Sequence, residues 1–298
     1  MHVDEVYYGF GVMLNFALFD IQRVEVLRGP QGTLYGRNTT AGAVSFFSNK
    51  PGPQFEANVR ASYGNYENAT VESFVNVPLS PTVSARLSGI ARRQSDGPWY
   101  NRTFDEHQGE VDRYGWRGQL NFQPSDELEI NLNVHGGRDK SDLHHFAAAV
   151  SGNGSGGFCD AYFRGPLQGA EPGCVGFLGE REPDTDPFTT AAGQRPILDL
   201  EGLGAVVKVD WRTGSGTLTS ISGVERYDRF VAEDADGFAQ QIVDDYYENE
   251  IEQYSQEIRY AADALGGALN WIVGGYWGKD SLDVPRSEEH TSELQSPI

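Results

Sequence analysis

From Phe55 to Lys279 the chain alternates apolar and polar side chains again and again, which only a strand with two unlike faces can use. Phe55, Ala57, Val59, Ala61 and Tyr63 fall on one face, with Glu56, Asn58, Arg60 and Ser62 on the other. The same pattern recurs with Val71, Val75 and Val77, with Val83, Ala85 and Leu87, and with Trp116, Leu120 and Phe122. It continues with Leu128, Ile130, Leu132 and Val134, and with Ala205, Val207, Val209 and Trp211. Further candidates lie at Thr217–Phe230, Tyr254–Ala262 and Trp271–Lys279. The alternation predicts about nine strands.

The connectors alternate too. Pro78–Thr82, Gln123–Glu127, Thr213–Gly216 and Ala262–Asn270 are short; Ser95–Arg113, Lys140–Pro196 and Ala232–Glu252 are long. Only the first hairpin, Gly64–Asn68, departs from the scheme. Short turns at one end and long loops at the other describe an outer-membrane barrel. A soluble sandwich or jelly roll is the alternative, but a sandwich rarely carries so long a loop, and its polar face would be the outer one. In the barrel register Val75, Leu120, Leu132 and Val207 face lipid, while Arg60, Arg86, Gln119 and Asn131 face the lumen. Tyr63, Tyr66, Trp99, Tyr100, Tyr114, Trp116, Trp211, Tyr227, Trp271 and Trp277 sit near strand ends, as aromatic girdles do, although aromatics also favour strands in general.

Composition agrees with this reading. The 36 glycines and 12% aromatics suit a turn-rich β architecture. No apolar run is long enough for a transmembrane helix, which a barrel does not need. A net charge of −20 argues against a nucleic-acid partner. Cys159 and Cys174 share a Gly/Pro-rich stretch, where close spacing suits a disulfide and an oxidising compartment; two idle thiols are the alternative. His144 and His145, near Asp139 and Asp142, match no standard metal spacing. No nucleophile or acid–base set converges, so neither an enzyme nor a cofactor is expected.

Both ends look unlike those of a complete gene product. Val3–Tyr8 already reads as a strand, and Phe10–Phe19 lacks the basic flank and cleavage site of a signal peptide. Arg286–Pro297 resembles the translation of a sequencing adapter, so residues 286–298 are set aside from the fold.

The run from Asp20 to Val44 is more specific: Val24-Glu25-Val26-Leu27-Arg28-Gly29-Pro30-Gln31-Gly32-Thr33-Leu34-Tyr35-Gly36-Arg37, then Ala41-Gly42-Ala43-Val44. It resembles the plug motif of TonB-dependent outer-membrane receptors. Tyr63-Gly64-Asn65-Tyr66 resembles that family's first barrel hairpin. Gln253–Arg259 and Leu269–Tyr276 resemble recurring barrel strands. The resemblance implies a mainly β chain, with the C-terminal part of a plug domain at 1–51. Part of an antiparallel transmembrane β-barrel follows at 52–285, about nine of some 22 strands. It implies a bacterial outer-membrane location and active transport of a scarce ligand, most often a ferric siderophore. The energy would come from a TonB complex, whose contact segment lies outside this chain.

Glu25, Arg28, Gly29, Pro30, Gly32, Tyr35, Gly36, Arg37 and Gly42 are the motif's site residues. Its glycines serve tight turns and close backbone approach, and its charges offer plug–barrel contacts, with Arg28 first and Arg37 second. A passive porin or surface adhesin is the alternative, and the plug motif argues against the porin.

Overall fold

The computed structural model describes residues 1–30, 32, 39–143, 152–164, 173–176, 179, 181, 186, 188–240, 244–284 and 287–289. Two strand systems account for most of them. The first is a small sheet made of β1 (His2–Val3), β2 (Val6–Tyr7), β3 (Ile21–Arg28) and β4 (Gly42–Ser48). Its order is β2-β1-β4-β3, with β1 parallel to β4 and the other pairs antiparallel.

Val3–Tyr8 is therefore not one strand, as its pattern suggests. Asp4 and Glu5 take φ of 48° and 72° and turn the chain back between Val3 and Val6. Left-handed backbone is costly for residues other than glycine and persists only where the surroundings hold it. A 3-10 turn at Gly11–Phe16 buries Met13 and Phe16, and Asp20, at φ 50°, leads into β3.

The second system is a wall of nine antiparallel strands: β5 (Glu56–Gly64), β6 (Asn68–Ser80), β7 (Val83–Gln94), β10 (Val111–Ser125), β11 (Leu128–Asp139), β13 (Ile197–Thr213), β14 (Gly216–Asp234), β15 (Asp244–Ala264) and β16 (Leu269–Asp283). Each hydrogen-bonds its neighbour in the order of the chain, so the sheet is a meander. Outside it, β8 (Trp99–Asn101), β9 (Glu106–Gln108) and β12 (Thr189–Thr190) form a three-stranded loop sheet. In the segment set aside as adapter-like, β17 (Ser287–Glu289) pairs with the far end of β15. The rest of that segment, apart from these three residues, lies outside the described ones.

Across the middle of the wall the register sorts the faces as the alternation predicts, whereas β5, with Arg60, is exposed on both faces. Leu120 pairs with Leu132 and Leu132 with Val207, and all three point outward and are exposed. Their neighbours Arg86 and Gln119, themselves register partners, turn inward and are buried. Trp116 and Trp211 are outward and exposed, in keeping with girdles. Tyr227 is not part of one: it points inward and is 1% exposed. Trp99 and Tyr100 lie in the loop sheet instead of the wall.

The long connector expected at Ala232–Glu252 is shorter in the structure, because β14 runs on to Asp234 and β15 begins at Asp244. Alternation fails as a signal there because that stretch is polar on both faces, while the backbone ladder continues without it. The register even places like charges opposite one another: Asp228 with Glu250, Glu233 with Asp245, and Asp234 with Asp244.

Candidate functional site

The small sheet lies against the inward face of the wall, and its contacts gather at the two strained turns. At the first, Asp4 accepts from Ser48 N at 2.8 Å, Ser48 Oγ at 2.6 Å and Asn133 Nδ2 at 3.2 Å. Next to it, the Glu5 carboxylate is held by Lys208 of β13 and Arg259 of β15. Burial alone would raise the Glu5 pKa, but these two cations outweigh it and hold the carboxyl below its ordinary range.

At the second turn Asp20 receives both arms of Arg86, Nε at 2.7 Å and Nη2 at 2.6 Å. This bidentate pair is almost wholly buried, at 4% and 3% side-chain exposure. Asn49 donates to the same carboxylate at 2.8 Å, and Asp20 N donates to Glu72 of β6 at 3.0 Å. Arg117 of β10 completes the corner by donating to the Phe19 and Ala17 carbonyls at 3.0 and 2.7 Å.

Between the turns the contact is apolar and close. Phe16 stacks on Tyr227, with ring centroids 6.3 Å apart. It can do so because the wall carries glycine beneath it: a Cβ at Gly137 would lie 2.7 Å from the Phe16 ring, and one at Gly202 2.9 Å from it. The Tyr227 hydroxyl donates to the Met13 carbonyl at 3.0 Å. Tyr8 donates to Glu225 Oε1 at 3.0 Å and lies 3.0 Å from His135 Nε2, which is itself 3.2 Å from Glu225 Oε2. Burial and the adjacent Glu225 push the Tyr8 phenol well above its ordinary pKa, so it remains a donor.

The motif residues occupy a different position. Glu25, on β3, accepts from Arg23 Nε at 2.7 Å. Arg28 ends β3 and pairs in register with Gly42. Gly42, at φ 153°, admits no side chain, since a Cβ there would lie 2.4 Å from the Leu27 carbonyl oxygen. Gly29 takes φ 84° and donates to the Ala41 carbonyl at 3.1 Å; Pro30 and Gly32 follow it, both exposed. Tyr35, Gly36 and Arg37 lie outside the described residues.

Thus the charged contacts of the small sheet with the wall described above use Asp4, Glu5 and Asp20, which the motif reading did not single out. Their only sequence signal is an acid at each break in the alternation. Cys159 and Cys174 form a disulfide with Cα atoms 5.3 Å apart. Both are buried, and Phe238, in the loop after β14, packs against them.

A family model described as the TonB-dependent receptor plug domain matches residues 1–43. That match takes in β1, β2 and β3 of the small sheet and the start of β4. It is similar to the ferrioxamine receptor of Yersinia enterocolitica, 29% identical over 134 residues, which are 45% of this chain and 18% of that protein. It is also similar to the catecholate siderophore receptor Fiu of Escherichia coli, 30% identical over 80 residues, 26% of this chain and 10% of that one.

Among solved structures, the siderophore receptor PiuA of Acinetobacter baumannii superposes with a TM-score of 0.72 at 13% identity, covering 95% of this chain and 38% of that one. The Pseudomonas aeruginosa ferripyoverdine receptor bound to ferripyoverdine gives 0.67 at 14% identity, covering 97% and 37%. The chain thus spans under a fifth of the curated relatives it matches and about two fifths of the solved ones. The small sheet falls largely within the residues that match the plug model, and the fold as a whole is that of the solved receptors on which it superposes.

Proposed function

We propose that this chain is the gate and adjoining wall of an active transporter that carries a ferric siderophore across the bacterial outer membrane. The observation that carries the reading is the plug sheet seated on the lumen face, with Asp20 and Arg86 paired out of water. A passive pore has no use for an obstruction bound so firmly, and an adhesin has no use for a lumen. The siderophore comes from the relatives, whose names include ferrioxamine and catecholate receptors.

In this reading residues 1–51 are the C-terminal part of the plug, 52–285 the first barrel strands, and 286–298 a non-native tail. The outward residues, Leu120, Leu132 and Val207 among them, meet lipid. A TonB complex supplies energy through a plug segment outside this chain. Glu25, Arg28 and the motif glycines shape the plug.

The test is uptake of radioactive iron by cells lacking their own siderophore receptors and expressing the complete receptor. Hydroxamate and catecholate complexes would be supplied in turn, with and without TonB. Uptake of one complex only where TonB is present is the expected result. Uptake that is independent of TonB and proportional to concentration would instead favour a pore.

A further inference from the structure

The centre of the contact between small sheet and wall is polar as well as buried, and its hydrogen bonds fix where the protons lie. Arg117, His135, Gly204, Glu225 and Gln253 are register partners in turn, so they form one row across the inner face of the wall from β10 to β15. Gly204 opens the middle of that row. A Cβ there would lie 2.1 Å from Glu225 Oε2 and 2.5 Å from His135 Nε2, so only glycine lets these two side chains meet over β13. Nε2 lies 3.1 Å from Glu225 Oε1 and 3.2 Å from Oε2. Tyr8, His135 and Glu225 are 3%, 4% and 1% exposed.

Asp4 accepts from the Ser48 amide on one oxygen and from the Ser48 hydroxyl on the other, so Asn133 turns its amide nitrogen toward it. The Asn133 oxygen then faces His135 Nδ1 at 3.3 Å, and an oxygen there calls for a proton on that nitrogen. Across the ring, the Glu225 carboxylate facing Nε2 calls for another. Only the imidazolium donates from both nitrogens, and imidazole is a stronger base than carboxylate. Charge balance agrees. Among the described residues no lysine or arginine pairs with Glu225, and Arg117 gives its guanidinium to the Ala17 and Phe19 carbonyls. Tyr8 and Tyr227 offer Glu225 hydroxyls but no charge. Without a proton on His135 the carboxylate would be buried and uncompensated, a costly state.

We propose that seating of the small sheet locks a proton onto His135, and that loss of this proton in alkaline medium unseats the sheet. Asp4 and Tyr8 come from the small sheet, while Asn133, His135 and Glu225 come from the wall, so the cluster is complete only when the two are joined. Because seating binds a proton, a rise in pH draws the balance toward the unseated sheet. Glu5, held below its ordinary range, acts in the opposite sense and fails in acid. Seating is at issue whatever the receptor carries, so a failed uptake assay would not bear on this cluster.

The direct test reads the ring by solid-state magnetic resonance, in outer membranes holding the complete isotope-labelled receptor. Through-space contacts to labelled asparagine and tyrosine identify His135, so no substitution is needed. At pH 7.5, where a free imidazole is mostly neutral, both ring nitrogens are expected to carry protons. One protonated and one bare nitrogen would overturn the proposal.

A second measurement uses protease. Cleavage within residues 1–48 of the assembled receptor at a fixed urea concentration, corrected with a free peptide for the protease's own response, should quicken at least fivefold from pH 6.5 to 9. His135→Gln combined with Glu225→Gln leaves no charge to balance and should hold the change under twofold. An unmodified receptor that changed less than twofold would overturn the proposal, as would a double variant as sensitive to pH as the unmodified receptor. If the double variant does not assemble, the ring nitrogens of the unmodified receptor decide alone.

Discussion

Asp20 shows how a single side chain can decide whether a domain seats. Its carboxylate neutralises Arg86 where water does not reach, so deleting it leaves an uncompensated buried cation. Removing one member of such a pair costs about 3–5 kcal/mol, whereas replacing both with apolar residues of similar size is often neutral. Asp20→Ala should therefore loosen the plug far more than Asp20→Leu combined with Arg86→Met, as read by the urea concentration at which protease first cleaves within residues 1–48 of the assembled receptor.

Glu5 adds a pH dependence. Its folded pKa is depressed, so its contribution to docking is complete above the unfolded value of about 4.3 and is lost as pH falls through the folded value. Plug protection should weaken on acidification below that unfolded value, and Glu5→Gln should flatten the response. Proteolysis after brief exposures between pH 5 and 3 measures both. These residues were illegible in the sequence for a physical reason. Asp4, Glu5 and Asp20 matter through partners 52 to 254 positions away, and no local pattern records such a distance.

At the scale of elements the sequence was far more open. Alternation marked the strands of the wall because those in its middle separate unlike environments, and it located the turns after Ser80, Ser125 and Thr213. It failed where one environment surrounds both faces, as at the outer ends of β14 and β15, and where strands are two residues long, as at β1 and β2. The disulfide is an element of its own. It joins positions 15 apart and packs on Phe238, which ties the loop after β11 to the loop after β14. The closure is worth roughly 3 kcal/mol against the open loop, too little to govern a barrel. Cys159→Ser should leave assembly in the outer membrane intact while altering ligand uptake or binding at the cell surface. Heat-modifiable gel mobility and ligand binding to whole cells measure the two effects, and a loss of mobility shift would contradict the assignment of a local role.

For the whole molecule, the wall gives a direction. Its turns are short at the end where β5 begins, and, the first hairpin apart, its loops are longer at the other. A peptide tag inserted at Gly154, in the loop after β11, should be labelled on intact cells; labelling only after lysis would reverse the orientation. The same asymmetry carries β14 well past the outward apolar residues. From Arg226 to Asp234 it rises eight steps at roughly 3.3 Å each. There Asp228 faces Glu250 across the ladder, a like-charge pair that Arg226, 3.5 Å from Asp228, offsets in part. Such repulsion is weakened by mobile ions over about 8–10 Å at physiological strength, and much less in dilute water. The exposed pair, Asp228 and Glu250, should therefore repel less in brine than in fresh water, so the set of this hairpin follows the medium in which the cell lives.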